Sequence, residues 1–152
     1  MNETVPLVRP AREDDRKTLG ALKLNATLAW GDHTRDVLLA LGGADELAAD
    51  LLPASFVAEI GGRIVGFATL LTNDDSEAEV EELFIEPSEW RHGIGTRLLD
   101  EAERRAVAAG AHCLCVTANP RAQAFYEACG FRVIGEVPDS FGVAPLMQKQ
   151  LR

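Results

Sequence analysis

The stretch that most limits what this chain can become runs from Glu81 to Leu99. It holds an apolar strand (Leu83, Phe84, Ile85), Pro87, a short loop with Gly93 and Gly95, and a helix whose apolar face opens with Ile94, Leu98 and Leu99. A helix start presents backbone N–H groups that have no partner within the helix, together with the positive end of the dipole, and glycines let an anion come close to that backbone. Phosphate is the natural guest, and Arg91 and His92 add positive charge just before the first glycine. Two phosphate motifs are excluded: a dinucleotide fingerprint needs a glycine where Leu98 stands, and a P-loop needs Gly-Lys-Ser/Thr where the chain has Gly95, Thr96 and Arg97. On the loop alone, a tight turn without ligand and an anion site both stand open.

At 152 residues the chain is read as one domain, 1–152, large enough for a core without disulfide or metal staples. No apolar run reaches the length of a membrane span, and Met1 to Pro10 lacks the pattern of an export signal, so a soluble cytoplasmic protein is expected, with no membrane partner. Cys113, Cys115 and Cys129 are an odd number of cysteines and read as reduced packing thiols. His33, His92 and His112 are too scattered for a metal site, and none is expected. A net charge of −9 argues against a nucleic-acid surface and favours a cationic small molecule or basic peptide.

In chain order, Val5 to Val8 reads as a first strand, closed by Arg9-Pro10. A helix led by Glu13, Asp14 and Asp15 follows, with its apolar face at Leu19, Leu22 and Leu24 to Leu28. A second helical stretch is expected between His33 and Leu52, interrupted at Gly42-Gly43 and placed to cover the core or wall a substrate site. Ser55 to Ile60 and Arg63 to Thr72 form a hairpin across Gly61-Gly62, and a polar turn, Asn73 to Glu77, leads to a third antiparallel strand, Ala78 to Glu86. The helix from Ile94 to Ala109 buries Ile94, Leu98, Ala102, Ala106 and Ala109 and stops at Gly110. His112 to Thr117 then lies parallel to Ala78 to Glu86, because a helical crossover joins them. Asn119-Pro120 caps a helix with Ala122, Phe125, Tyr126 and Cys129 on one face. Strands Phe131 to Val137 and Leu146 to Leu151 close the chain around a loop, Pro138 to Pro145.

Three stretches together resemble the GNAT superfamily of acyl-CoA-dependent N-acetyltransferases: Glu82-Leu83-Phe84-Ile85-x-Pro87; Gly93-x-Gly95 with Leu98-Leu99; and Asn119-Pro120 with Phe125-Tyr126-Glu127 and Gly130-Phe131. The order of elements matches over essentially the whole chain. One departure is Trp90, which stands where the family's loop usually has Arg or Gln. The resemblance implies an α/β fold with a central mixed sheet, splayed between two parallel strands and flanked by helices, with acetyl-CoA as acyl-donor substrate. The pyrophosphate would lie on Arg91, His92, Gly93, Ile94, Gly95 and Thr96, the pantetheine arm along Leu83, Phe84 and Ile85, and Asn119 would be a further cofactor contact.

Acetyl transfer needs a neutral amine, a donor for the oxyanion at the thioester carbonyl and an acid for the departing thiolate. By the same resemblance, a backbone N–H of Phe84 or Ile85 serves the oxyanion, and Tyr126 is the acid and also a cofactor contact. Glu82 is the base. Strand alternation sets Glu81 on the opposite face from Glu82, and a solvated surface role remains open for either. Tyr126 equally fits a core aromatic beside Phe125. The acidic residues Asp74, Asp75, Glu77 and Glu79 draw in cations or simply form a turn. Trp30 and Trp90 have no assigned role, although Trp90 beside the loop suits a binding reporter. The expected function is N-acetyl transfer to a primary amine of a small molecule or peptide by direct attack in a ternary complex. The alternatives are a non-catalytic acyl-CoA sensor and a protein N-terminal or lysine acetyltransferase. Homodimerisation is common in such proteins and is not settled by the sequence.

Overall fold

In the computed structural model, which describes residues 5–31, 46–73, 76–139 and 142–151, seven strands form among the described residues. They are β1 (Leu7–Pro10), β2 (Ser55–Ile60), β3 (Arg63–Thr72), β4 (Glu77–Ile85), β5 (Cys113–Thr117), β6 (Arg132–Asp139) and β7 (Gly142–Gln150), in sheet order β1-β2-β3-β4-β5-β7-β6. Strands such as β4 alternate buried and open positions, while β2 and β3 carry continuous buried runs. Among the described residues three α-helices accompany them: α1 (Arg16–Ala29), α2 (Ile94–Ala108) and α3 (Gln123–Ala128). None of the described helices is long and apolar enough to cross a membrane. The chain forms two compact units, one of Met1–Thr69 with Glu82–Leu99, the other of Leu70–Glu81 with Asp100–Arg152.

In the first unit β1 and β2 pair antiparallel, as do β2 and β3 across Gly61-Gly62, where both glycines have positive φ (57° and 81°), as a type I′ turn requires. Leu19 and Leu22 of α1 pack with Val57, Phe67 and Leu47, with Phe84, Ile64, Leu51 and Leu52 at the margin. Arg9 of β1 ties this sheet edge to the start of α1. Its guanidinium donates to Asp15 at 2.9 Å and to Glu59 at 3.1 Å, while the Arg12 N–H donates to Asp15 at 2.8 Å. Burial alone would raise the Asp15 carboxyl, but Arg9 and the Arg12 N–H outweigh it and hold the carboxyl below the usual range.

In the second unit β4 and β5 are parallel, in the register Glu77↔Cys113 to Val80↔Val116. β4 itself runs on to Ile85, and its end, from Glu82, belongs to the first unit. β7 is antiparallel to both β5 and β6.

Several boundaries differ from expectation. The first strand starts at Leu7, not Val5, and runs through Pro10, because Arg9 and Pro10 keep the ladder with Val57 and Phe56. Ala109 is exposed beyond the end of α2, so the buried stripe ends at Ala106. The helix after Asn119 opens as a 3-10 turn, Pro120–Ala122, before α3. Most of the loop expected over Pro138 to Pro145 is strand: β6 reaches Asp139 opposite Gly142, and both prolines are tolerated in the ladder, Pro138 opposite Val143 and Pro145 opposite Glu136. Of the second helical stretch, residues up to 45 lie outside the described residues, and Ala49–Ala54 is a 3-10 helix. Asp74 and Asp75 also lie outside them.

Asp15→Asn keeps an acceptor for Arg12 and removes the charge facing Arg9. We expect a loss of about 1–2 kcal/mol at pH 7, or roughly 2–8 °C in Tm. A carboxyl held low stabilises the fold above its unfolded value near 4 and loses that contribution as pH falls through the native value. Thermal melts of wild type and variant should therefore differ at pH 7 and converge in strong acid.

Candidate active site

The first unit carries the strand end and the loop. Along β4 the alternation places Glu82 and Phe84 on one face and Leu83 and Ile85 on the other. Phe84 stacks on Phe67 with ring centroids 5.9 Å apart, so the face of Glu82 is the one α1 covers. Glu82 is 9% exposed, whereas Glu81 is exposed. Lys23 of α1 reaches Glu82: its Nζ donates to Oε1 at 2.7 Å and lies 5.5 Å from the centroid of the Phe84 ring. The opposite face is closed by Gly66 of β3, where a Cβ would sit 2.9 Å from Ile85 Cδ1, 3.1 Å from the Phe84 carbonyl oxygen and 3.2 Å from Leu98 Cδ1. The Glu86 N–H donates to the Val65 carbonyl at 2.8 Å, holding the end of β4 in place.

Trp90 Nε1–H donates to the Ile85 carbonyl at 2.9 Å, and its ring lies 4.9 Å from that of Trp30. In the loop that follows, Arg91 (φ 68°) and Gly93 (φ 82°) are both left-handed. The first backbone bond of α2 is from Arg97 N–H to Gly93 O at 3.0 Å, so the N–H groups of Ile94, Gly95 and Thr96 precede any helical acceptor. Ile94 anchors the turn, 2% exposed, while Arg91, His92, Gly93 and Thr96 face solvent. His92 Nδ1 lies 3.4 Å from Glu89 Oε1, and Arg63 donates to Glu89 Oε2 at 2.8 Å. Arg63, then His92, hold the Glu89 carboxyl below its usual range.

The second unit carries Asn119 and Tyr126. Asn119 Oδ1 accepts the Arg121 N–H at 2.8 Å, the N-cap bond expected of this residue. Tyr126 is placed by the end of its short helix. The Phe131 N–H donates to the Tyr126 carbonyl and the Gly130 N–H to that of Glu127, both at 3.0 Å, with Gly130 at φ 98°. This is a Schellman cap, and its usual apolar contact is here the edge-on packing of Tyr126 on Phe131, centroids 5.5 Å apart. The Phe125 ring lies 5.2 Å from it, also edge-on. Burial, with a smaller effect from Cys129, pushes the Tyr126 phenol well above its ordinary value. On β4, burial and the Glu81 charge likewise push up Glu79.

The sequence profile of the Acetyltransferase (GNAT) family matches residues 19–131. The chain belongs to the GNAT acetyltransferase family. An uncharacterised N-acetyltransferase of Mycobacterium tuberculosis is 32% identical over 93 residues, covering 59% of this chain; the chain spans about three fifths (60%) of that relative's length. Among solved structures, a GCN5-related N-acetyltransferase from Rhodopseudomonas palustris is 25% identical with a TM-score of 0.76, covering 96% of each chain. The PaiA N-acetyltransferase of Thermoplasma acidophilum, solved with coenzyme A, shares the fold at a TM-score of 0.79 and 19% identity, covering 95% of this chain and 98% of that one.

Within this GNAT chain, the structure brings Glu82, Leu83, Phe84, Ile85 and the loop 91–96 into the first unit and Asn119 and Tyr126 into the second. Two neighbours of β4 were not singled out from the sequence. Gly66, alone inside an otherwise bulky strand, is the usual signal of close backbone approach. Lys23 interrupts the leucines of α1 and shares a helix face with Thr27 and Trp30, at i+4 and i+7.

Gly66→Ala should overpack this face by about 1–3 kcal/mol, seen as a lower Tm, and adding Ile85→Val should restore part of the loss by removing the nearest methyl. Tyr126 is the chain's single tyrosine. Its absorbance at 295 nm should therefore stay flat through pH 10, the ordinary phenol range, and rise only as the fold opens at higher pH. Because the native value is raised, the stability tied to this group is complete below pH 10 and falls above it.

Proposed function

We propose that the chain transfers an acetyl group from acetyl-CoA to a primary amine of a small molecule or peptide. Family membership and the coenzyme A complex of the Thermoplasma relative support acyl-CoA as donor. The observation that carries the reading is the strand end of the first unit: a buried carboxylate, Glu82, three apolar residues, and a left-handed loop entering a helix. The N–H groups of Ile94 to Thr96, with Arg91 and His92, suit a pyrophosphate. Leu83 to Ile85 suit the pantetheine arm, and Asn119 Nδ2 is assigned to the cofactor as a further donor.

In the step itself the amine lone pair attacks the thioester carbonyl carbon, and Glu82 takes the proton that the ammonium releases. The N–H of Phe84 or Ile85 stabilises the oxyanion. The C–S bond then breaks and Tyr126 O–H protonates the thiolate. A free phenol near pKa 10 protonates a thiolate near 8.5 at a cost of roughly 2 kcal/mol, small within a catalysed barrier. Burial raises the phenol further, which adds to that cost.

Thermal unfolding with acetyl-CoA, coenzyme A, NAD and ATP in parallel tests the donor. A ligand at about a hundred times its Kd stabilises by roughly 2.7 kcal/mol, a shift of several degrees. Shifts with acetyl-CoA and coenzyme A alone support the proposal, and no shift with acetyl-CoA overturns it. In Tyr126→Phe the ring contacts with Phe125 and Phe131 remain, so acetyl-CoA should still bind while kcat falls about 10²-fold.

A further inference from the structure

The carboxylate assigned as base is already in contact with a primary ammonium. Lys23 Nζ lies 2.7 Å from Glu82 Oε1 and 5.5 Å from the Phe84 ring centroid, so one strand face offers a carboxylate for the charge and an aromatic ring for the cation. The Glu82 side chain is 10% exposed and that of Lys23 37% exposed, which makes the lysine the partner better placed to leave. A general base holds its acceptor nitrogen within about 2.6–3.2 Å, and Lys23 Nζ stands at that distance. The two nitrogens therefore compete for one place.

Resting on the proposed transfer reaction, we propose that the acceptor is a primary alkylamine on an unbranched methylene chain. Its ammonium displaces Lys23 from Glu82 and takes the position beside the Phe84 ring. Lys23 is then a specificity-determining residue. While the acceptor is absent it keeps the buried carboxylate compensated, and when the acceptor binds its flexible stem carries the ammonium into water. A resident competitor weakens the apparent affinity of the acceptor in proportion to the fraction of protein in which it holds the site.

Lys23→Met keeps an unbranched apolar side chain and removes the ammonium. With n-butylamine or 1,4-diaminobutane as acceptor, KM should fall about tenfold, equivalent to about 1.4 kcal/mol, with kcat little changed, while Lys23→Arg should keep the high KM. Lys23→Gln, which still donates to Glu82, should fall between them and provides a second variant if the methionine form unfolds. Calorimetric titration of n-butylamine into each protein saturated with coenzyme A gives the same comparison without turnover. In wild-type protein labelled with 15N-lysine, the ion-paired Lys23 ammonium resonance should disappear at saturating n-butylamine. An unchanged or higher KM in Lys23→Met and Lys23→Gln, a fall in kcat at constant KM, or a persisting resonance would overturn the inference. If acetyl-CoA binds and other amines are acetylated while these outcomes hold, this inference alone fails. If acetyl-CoA gives no thermal shift, the transfer reaction fails and the inference with it.

Discussion

A carboxylate taken out of water needs a partner, and in this chain Glu82 has a cation from a different element, Lys23. Glu82 stands on the face of β4 that α1 covers, two residues before Phe84, whose ring stacks on Phe67 in the core of the first unit. Burying a carboxylate there is costly unless a cation meets it, and Lys23 does. The rotation of α1 is set by its leucines. With Leu19 and Leu22 turned into the core beside Val57 and Phe67, Lys23 is directed at Glu82. One ion pair thus couples the packing of the helix to the chemistry of the strand.

Much of this was legible in the residues because each signal was local. Gly61-Gly62 between two β-rich runs specified a two-residue hairpin, and the structure has both glycines in the left-handed region. The crossover helix between β4 and β5 required a parallel pair, which is observed. Alternation around Leu83 separated Glu81 from Glu82, and exposure then separates their environments. The largest expectation that failed depended on long-range pairing. Pro138 and Pro145 read as loop residues by composition, yet the β6–β7 register carries both in strand, since each position is judged by its neighbours across the ladder. Lys23 and Gly66 escaped notice for the same reason: one is a lysine among leucines, the other a glycine in a strand, and only the strand beside them gives either a role.

Tyr126 illustrates a different economy. α3 has six residues, too few for helical propensity to hold a side chain firmly. Its position is set by the chain reversal at Gly130, whose two backbone bonds bring Phe131 under the Tyr126 ring. A motif read in sequence as Phe-Tyr-Glu followed by Gly-Phe is, physically, one cap with its apolar contact, and the proposed acid is part of that cap.

The pairing of Trp30 with Trp90 carries an optical consequence. These are the only two tryptophans in the chain, and their rings lie 4.9 Å apart where α1 ends, beside the residues leading into the loop before α2. All tryptophan emission therefore arises from one place, and indoles this close behave as a coupled chromophore whose circular dichroism depends on their mutual tilt of 31°. Because Trp90 also holds the Ile85 carbonyl, the chain has a built-in optical gauge of its strand end that needs no added label.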